Sequence, residues 1–415
     1  MKALYFENDP VRFALYRAAR LVREFPRLGP LSPVRYTEVP EPTLPGAQWM
    51  KVRNIACGLC GTDVHFMQMD MSPKTYSAAL PGIKRKYLGH ESVGEVIEVG
   101  AEVGNFRAGD RVAFQMDWPC CVQMGIKPPC RQCAAGSPML CENLGLGTVP
   151  DAGGGGFSPR MAVHHSQMFK IPDALDNDAA VLLEPMACAA HGVLKAADHL
   201  VLGARVLIIG GGTIGLLAVA ACRALSPGVE VFASVRYPFQ AKVAEALGAR
   251  VLAGGGNIYE QTATTTGGRH IKALFGNEMV FGGFDVVLDT VGGAASFEQA
   301  LRLARPHGRV VLLGIDFAPG RLDYSPIWAR EVEVTGINCH GIERDGRSTF
   351  EIAAEVLGRM PALPGLIITH RFAVKDYRQA LKAFMGKRES GAIKILLAHD
   401  FKYGVRKLGV DKGAN

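Results

Sequence analysis

The chain has 415 residues, 48% of them hydrophobic and 20% charged, and 46 Lys and Arg against 39 Asp and Glu give it a net charge of +7. These proportions fit two or three globular domains and exclude a disordered or fibrous chain. The basic excess is thinly spread, with no long Lys/Arg run, so no nucleic-acid partner is expected.

The first ten residues, Met1 to Pro10, hold no apolar stretch long enough for a signal peptide. No run approaches the ~18 apolar residues of a membrane span. A cytoplasmic protein is expected. Ten cysteines without an export signal then argue against a disulfide framework. Five of them, at 120, 121, 130, 133 and 141, fall within 22 residues, which makes metal ligation the leading explanation of that cluster.

In chain order, Val11 to Phe25 carries Arg12, Arg17, Arg20 and Arg23 among Ala14, Leu15 and Leu21. This reads as an amphipathic helix, either docking a partner or membrane surface or simply packed on its domain with arginines in solvent. Up to about residue 175, short apolar runs such as Val93 to Gly100 alternate with Gly and Pro, the pattern of a small irregular β-domain. Two strings interrupt it: Cys57-Gly58-Leu59-Cys60-Gly61-Thr62-Asp63-Val64-His65 and Gly89-His90-Glu91. Between them, Phe66 to Leu88 includes Met67, Met69, Met71, Tyr76 and Lys84-Arg85-Lys86. The methionines either line an apolar pocket or fill space under a loop. Cys130-x2-Cys133-x7-Cys141 follows, and a further acid appears in Leu183-Glu184-Pro185.

From about 178 to 335, apolar strands alternate with helical patterns. Val206–Ile209 precedes a helix at Thr213–Leu225, and Val229–Val235 precedes one at Pro238–Leu247. Phe284–Asp289 and Arg309–Gly314 continue the series. Such alternation predicts parallel βαβ units. Gly210-Gly211-Gly212-Thr213-Ile214-Gly215 lies between the first strand and its helix. There Gly210, Gly212 and Gly215 let the backbone turn and approach a pyrophosphate, with Thr213 and Ile214 opening the helix. The second strand ends in Ser234, Val235 and Arg236, where a ribose-binding acid would stand; Glu230 lies at its early end. Ser234 and Arg236 favour NADP, while NAD stays open if Arg236 only stacks on adenine. The last 80 residues hold helical patterns at Phe350–Arg359 and Val374–Met385 and the run Ile393–Leu397.

Together these motifs resemble the zinc-dependent medium-chain dehydrogenase/reductase family, in its sorbitol and threonine dehydrogenase branch, over nearly the whole chain. The resemblance implies an α/β fold, a GroES-like β-rich catalytic domain (1–180 and 336–415) with an inserted Rossmann doubly wound parallel-sheet domain (181–335). It implies a catalytic zinc on Cys60, His90 and Glu184, with Glu91 as an alternating or neighbouring ligand. Thr62 would touch the alcohol oxygen and His65 would pass its proton outward. Cys57 reads as a packed thiol.

The family's structural zinc lobe places four cysteines as C-x2-C-x2-C-x7-C. Here Cys130, Cys133 and Cys141 are in register, but Lys127 occupies the first position. Either Cys120 or Cys121 completes a second zinc site, or the lobe is metal-free. His164, His165, Cys188, His191 and His340 read as structural. The expected function is a zinc- and NADP- or NAD-linked alcohol dehydrogenase interconverting a secondary or polyol-like alcohol, a small-molecule substrate, and its carbonyl by hydride transfer, as a homodimer or homotetramer. Competing readings are a dismutase or aldehyde-oxidising relative with retained nucleotide, a metal-independent reductase, and a non-catalytic partner-binding protein.

Overall fold

The structure is a computed structural model describing residues 1–19, 21, 28–29, 31–70, 72, 83–115, 119–147, 153–252, 256–317 and 320–399. Its second half contains a six-stranded parallel sheet. From one edge to the other the strands are Arg250–Leu252, Glu230–Ser234, Arg205–Ile209, Phe284–Asp289, Ala304–Leu312 and Glu333–Gly336. Counted along the chain this order is third, second, first, fourth, fifth, sixth, the doubly wound arrangement whose crevice opens at the carboxyl ends of the strands. The strands read as apolar runs because helices cover both faces. Val206, Leu207 and Ile208 are fully buried, as are Val286 and Val287 beside them. Burying each such side chain is worth roughly 1.5–3 kcal/mol.

The first half forms a seven-stranded sheet around the long strand Trp49–Gly58, which pairs antiparallel with Glu91–Val99, Arg160–His164 and Lys394–Ala398. The C-terminal run therefore returns to the N-terminal sheet, with Leu396 opposite Gly58 and Leu397 opposite Cys57. Ile368–Ala373 closes that edge in parallel with Lys394–Ala398. Helix Leu183–Leu194 joins the halves, buried almost all round and packed on helices Thr213–Leu225 and Thr349–Arg359. The last of these starts from a capping box, Ser348 receiving the Glu351 N–H and Glu351 reaching back to Ser348, worth about 1 kcal/mol.

Most expected elements lie within two residues of their places, and the differences are physical. The strand expected at Arg309–Gly314 begins at Ala304, because Ala304 bonds across to Phe284 before a bulge restores register at Val286 and Arg309. The helical pattern at Val374–Met385 divides into a single 3-10 turn, Val374–Asp376, and helix Tyr377–Met385. Among the described residues, the arginine-rich segment is a helix over Pro10–Ala19, with Phe13 and Tyr16 buried in the core. Arg12 pairs with Glu7 and Arg17 lies over the Phe13 ring, which matches the packed reading; Arg20 and Arg23 lie outside the described residues. Arg85–Tyr87 is a strand on Lys2–Glu7. Met67 and Met69 are core residues beside Phe6 and Phe66, so these two fill space; Met71 and Tyr76 lie outside the described residues.

Candidate active site

Strand Trp49–Gly58 ends where helix Gly61–Gln68 begins, and Cys60 caps that helix. The two segments that carry Cys60 and His90 are tied together by Asp63. Its buried carboxylate accepts the Cys60 N–H at 3.1 Å and the Gly89 N–H at 3.0 Å, and lies 3.8 Å from His90 Nδ1. Gly89 turns at φ 87°, and a side chain there would strike the Phe157 backbone and the Cys57 sulfur. A glycine before the histidine is thus required by both conformation and space. Ligand atoms of Cys60, His90 and Glu91 lie within 4.8 Å of one another. Sulfur, imidazole and carboxylate are the donor types zinc takes, so Cys60 and His90 fit two of its positions.

Glu91 is not free to act alone. Lys394 Nζ donates to its two oxygens at 2.7 and 2.5 Å, and both side chains are 2% exposed. Gly58 makes the room, since a Cβ there would sit 1.9 Å from Glu91 Oε2. Burial alone would lower the Lys394 pKa, but Glu91 and Cys60 outweigh it and the ammonium is held charged. A carboxylate so paired is better suited to set the local charge than to bind an ion directly. Lys394 and Asp63 are the two residues that motif reading passed over. Lys394 left one signal, a lone cation inside the apolar run Ile393 to Leu397.

Glu184, in the first turn of helix Leu183–Leu194, lines the same cavity as His90 and Thr62. Its carboxylate meets the Cys188 thiol at 3.4 Å and groups with Cys188 and Cys339 rather than within the Cys60–His90–Glu91 cluster. Burial pushes its pKa up to about 7, with Glu91 adding and His90 opposing. Burial lowers His90, yet Cys60, Asp63 and Glu184 together raise it well above its ordinary value. The site thus concentrates negative donors around one imidazole, the charge pattern that a dication would neutralise.

The cavity has a volume of about 340 Å³. Its far wall, Ile315, Phe317, Ile337 and Asn338, follows the carboxyl ends of strands Ala304–Leu312 and Glu333–Gly336. Thr62 Oγ1 is 3.8 Å from Cys60 Sγ. One turn along the helix, partly exposed His65 bonds Asp70 through Nδ1 at 2.8 Å and rests edge-on against Phe317. Cys57 is fully buried beside Leu59 and Phe157, as a packed thiol should be.

The glycine turn stands where expected. A side chain at Gly215 would lie 2.0 Å from the Gly210 carbonyl, whereas a Cβ at Gly212 meets nothing within 4 Å. Gly215 lets helix and turn pack, and Gly212, the cap of helix Thr213–Leu225, leaves open space before N–H groups that no side chain caps. That is the geometry an anion needs. Ile214, in the first turn, packs partly buried against the core. Thr213 Oγ1 donates to the Ile393 carbonyl at 3.1 Å. Ile393 thus touches the helix that follows the glycine turn while the next residue, Lys394, holds Glu91. Half-buried Ser234 ends its strand, and exposed Arg236 lies over the Tyr237 ring. Glu230 sits at the strand's start and faces Arg250.

In the cysteine lobe, Cys121 rather than Cys120 joins Cys130, Cys133 and Cys141, all four sulfurs within 4.8 Å of one another. Cys121 and Cys141 sulfurs are 3.6 Å apart; two thiolates on one tetrahedral zinc are ~3.8 Å apart. The Cys130 N–H and Asn143 Nδ2 donate to Cys121 Sγ, and the Cys133 N–H donates to Cys130 Sγ. That N–H is the main reason the Cys130 thiol falls to about 6. Cys120 packs on Met139 instead, and Lys127 is exposed. Four convergent sulfurs fit a structural zinc.

With this geometry in view, the family models match in order. An alcohol dehydrogenase GroES-like domain covers residues 46–173 and a zinc-binding dehydrogenase domain covers 213–357. An L-threonine 3-dehydrogenase of Burkholderia cenocepacia HI2424 is 30% identical over 348 residues, 83% of this chain and 90% of its own. The chain belongs to the zinc-dependent medium-chain dehydrogenase family. It is an oxidoreductase of the alcohol dehydrogenase type, linked to zinc and NAD(P). A zinc-binding dehydrogenase of Sinorhizobium meliloti 1021, solved with NADP, is 29% identical with a TM-score of 0.65, covering 88% of this chain and 95% of its own. The 2R,3R-butanediol dehydrogenase of Bacillus subtilis shares the fold, with a TM-score of 0.69 at 24% identity over 96% of this chain and 99% of its own. No helix among the described residues is long and apolar enough to cross a membrane.

Proposed function

We propose that this dehydrogenase oxidises a small secondary or polyol-like alcohol to its carbonyl in the cavity between the Cys60–His90 segment and the carboxyl ends of the parallel strands. The observation that carries the reading is the shared cavity itself: Thr62, His90 and Glu184 face it from three separate segments, with Cys60 adjoining. Cys60, His90 and Glu184 would hold zinc, with Glu91 beside them as the charge that Lys394 fixes. For Glu184 to join the other two, its carboxylate turns away from Cys188. When bound, the ion supplies Lewis acidity that makes the alcohol proton easier to lose near neutral pH. A nicotinamide dinucleotide held at the glycine turn would supply the hydride acceptor.

The protein's own residues then do the positioning and proton work. Thr62 presents a neutral hydroxyl at the cavity and passes the alcohol proton on without carrying charge. His65, three residues further on the same helix, takes it toward solvent. Asp70 orients that imidazole through Nδ1, leaving Nε2 for exchange. Phe66, Ile315 and Phe317 exclude bulk water from the cavity wall. Gly210, Gly212, Thr213, Ile214 and Gly215 would seat the pyrophosphate, and Ser234 with Arg236 would face a 2′-phosphate, which supports NADP. Cys121, Cys130, Cys133 and Cys141 would hold a structural zinc.

The threonine dehydrogenase relative acts on an amino acid whose hydroxyl is secondary, which supports the substrate class. Domains of 1–180 with 336–415 and of 181–335, a cytoplasmic location and a homodimer or homotetramer complete the reading. The test is an assay of NADP and NAD reduction across a panel of secondary alcohols, with zinc measured on the same preparation. Turnover on a secondary alcohol with zinc present is expected; full turnover on metal-free protein contradicts the proposal.

A further inference from the structure

Two thiols beside the cavity have no part in that reaction. Cys188 stands four residues after Glu184 on helix Leu183–Leu194 and is 9% exposed. Cys339 comes from the chain beyond strand Glu333–Gly336 and lines the cavity. Its backbone lies in the left-handed region at φ 58°, a conformation that costs a non-glycine residue roughly 1–2 kcal/mol. That conformation accompanies a thiol placed against the cavity wall, where strain of this kind tends to mark function.

Ligand atoms of Glu184, Cys188 and Cys339 all lie within 4.8 Å of one another, and Cys188 Sγ is 3.4 Å from Glu184 Oε1. A thiolate and a carboxylate oxygen on one tetrahedral zinc are ~3.6 Å apart, so little movement separates this arrangement from a ligand set.

We propose that Glu184, Cys188 and Cys339 form a second metal site, taking one thiophilic divalent cation such as zinc or cadmium, and that filling it inhibits the enzyme by retaining Glu184. Binding converts two thiols to thiolates and releases two protons, the carboxylate being the third donor and water the fourth; no electron is transferred. The ion holds the Glu184 carboxylate on the Cys188 side and away from Cys60 and His90. The inference deepens the preceding reading only through this shared carboxylate.

The test titrates the purified holoenzyme with cadmium chloride and compares it with the Cys339→Ala and Cys188→Ala variants. Metal per chain is read by mass spectrometry after gel filtration, with ultraviolet thiolate-to-cadmium absorbance and turnover measured in parallel. The wild type is expected to take up one more equivalent than either variant, with added absorbance and a fall in turnover that follows it. Equal uptake and equal absorbance in wild type and Cys339→Ala overturn the proposal. Should Cys188→Ala fail to fold, Cys339→Ala and Cys339→Ser, at a half-buried loop position, carry the comparison once their melting temperatures match the wild type. Cys60→Ala separates the two readings: it removes resident metal and turnover while the Cys339-dependent cadmium band stays. If that band also disappears, there is one metal site and the second is refuted.

Discussion

Lys394 Nζ lies 2.7 and 2.5 Å from the two carboxylate oxygens of Glu91, deep in the protein, joining strand Lys394–Ala398 to the segment that carries His90. Removing only the lysine leaves a buried carboxylate without a counter-charge, a loss typically worth about 3–5 kcal/mol. Lys394→Met should therefore unfold at markedly lower urea concentration than wild type. The double variant Glu91→Leu, Lys394→Met should recover most of that loss, because replacing a whole buried pair by apolar groups is close to neutral. A double variant as unstable as the single one would show that the pair is not what stabilises this junction.

The cysteine lobe distinguishes two adjacent thiols sharply. Cys121→Ser should lower zinc by about one equivalent per chain, since four sulfurs hold the ion far better than three. Cys120→Ser should keep its zinc and lose only the packing of a buried thiol on Met139, about 1–3 kcal/mol for an unpaired hydroxyl. Metal analysis of the two variants decides the matter, and equal zinc in both would remove Cys121 from the site.

Cofactor preference should follow the end of strand Glu230–Ser234. Arg236 is exposed and half-buried Ser234 ends the strand, so a charge-assisted hydrogen bond to a 2′-phosphate is worth roughly 1.5 kcal/mol, or about tenfold. Arg236→Gln should reduce kcat/KM for NADP about tenfold and leave that for NAD nearly unchanged. Ser234→Asp should reverse the preference by repelling the phosphate. An unaltered NADP-to-NAD ratio in Arg236→Gln would place the arginine outside phosphate recognition.

Stability should fall on mild acidification through His164. Burial, with a smaller contribution from His165, holds its pKa down to about 4, and its two nitrogens meet Ser166 Oγ at 2.8 Å and Gln48 Oε1 at 3.1 Å. The unfolded chain protonates this histidine near 6.5. Between about pH 6.5 and 4 the unfolded state holds the extra proton, so stability drops as pH falls through that window and levels off below it. The loss from this one group is at most about 3 kcal/mol. His164→Gln should lose correspondingly less over the same range in urea melts at several pH values; an unchanged slope would show that His164 is not the titrating group.

Much of the fold was legible because its signals are periodic. The parallel sheet and its glycine turn follow from apolar runs alternating with helices, and Gly210, Gly212 and Gly215 carry their reason in local sterics. The metal candidates were legible as residue types at known offsets. What the linear order hides is partnership across long separations. Glu91 looks like a ligand in sequence, yet 303 positions away Lys394 occupies its oxygens. Glu184 reads as the third ligand, while its carboxylate here rests on Cys188. Cys120 and Cys121 were equivalent on paper and differ only once the chain turns one sulfur toward Cys141 and the other toward Met139. Asp63 was visible as a letter, but its two accepted N–H groups come from residues that are neighbours only in the folded chain.

The most direct measurement follows zinc content and NADP-linked oxidation of a secondary alcohol on one sample. It is made before chelation, after chelation, and after zinc is returned, with Cys60→Ala carried alongside. Loss of both zinc and turnover together, restored together in wild type and not in Cys60→Ala, is the expected result. Undiminished oxidation by the metal-free enzyme would contradict the account at its centre.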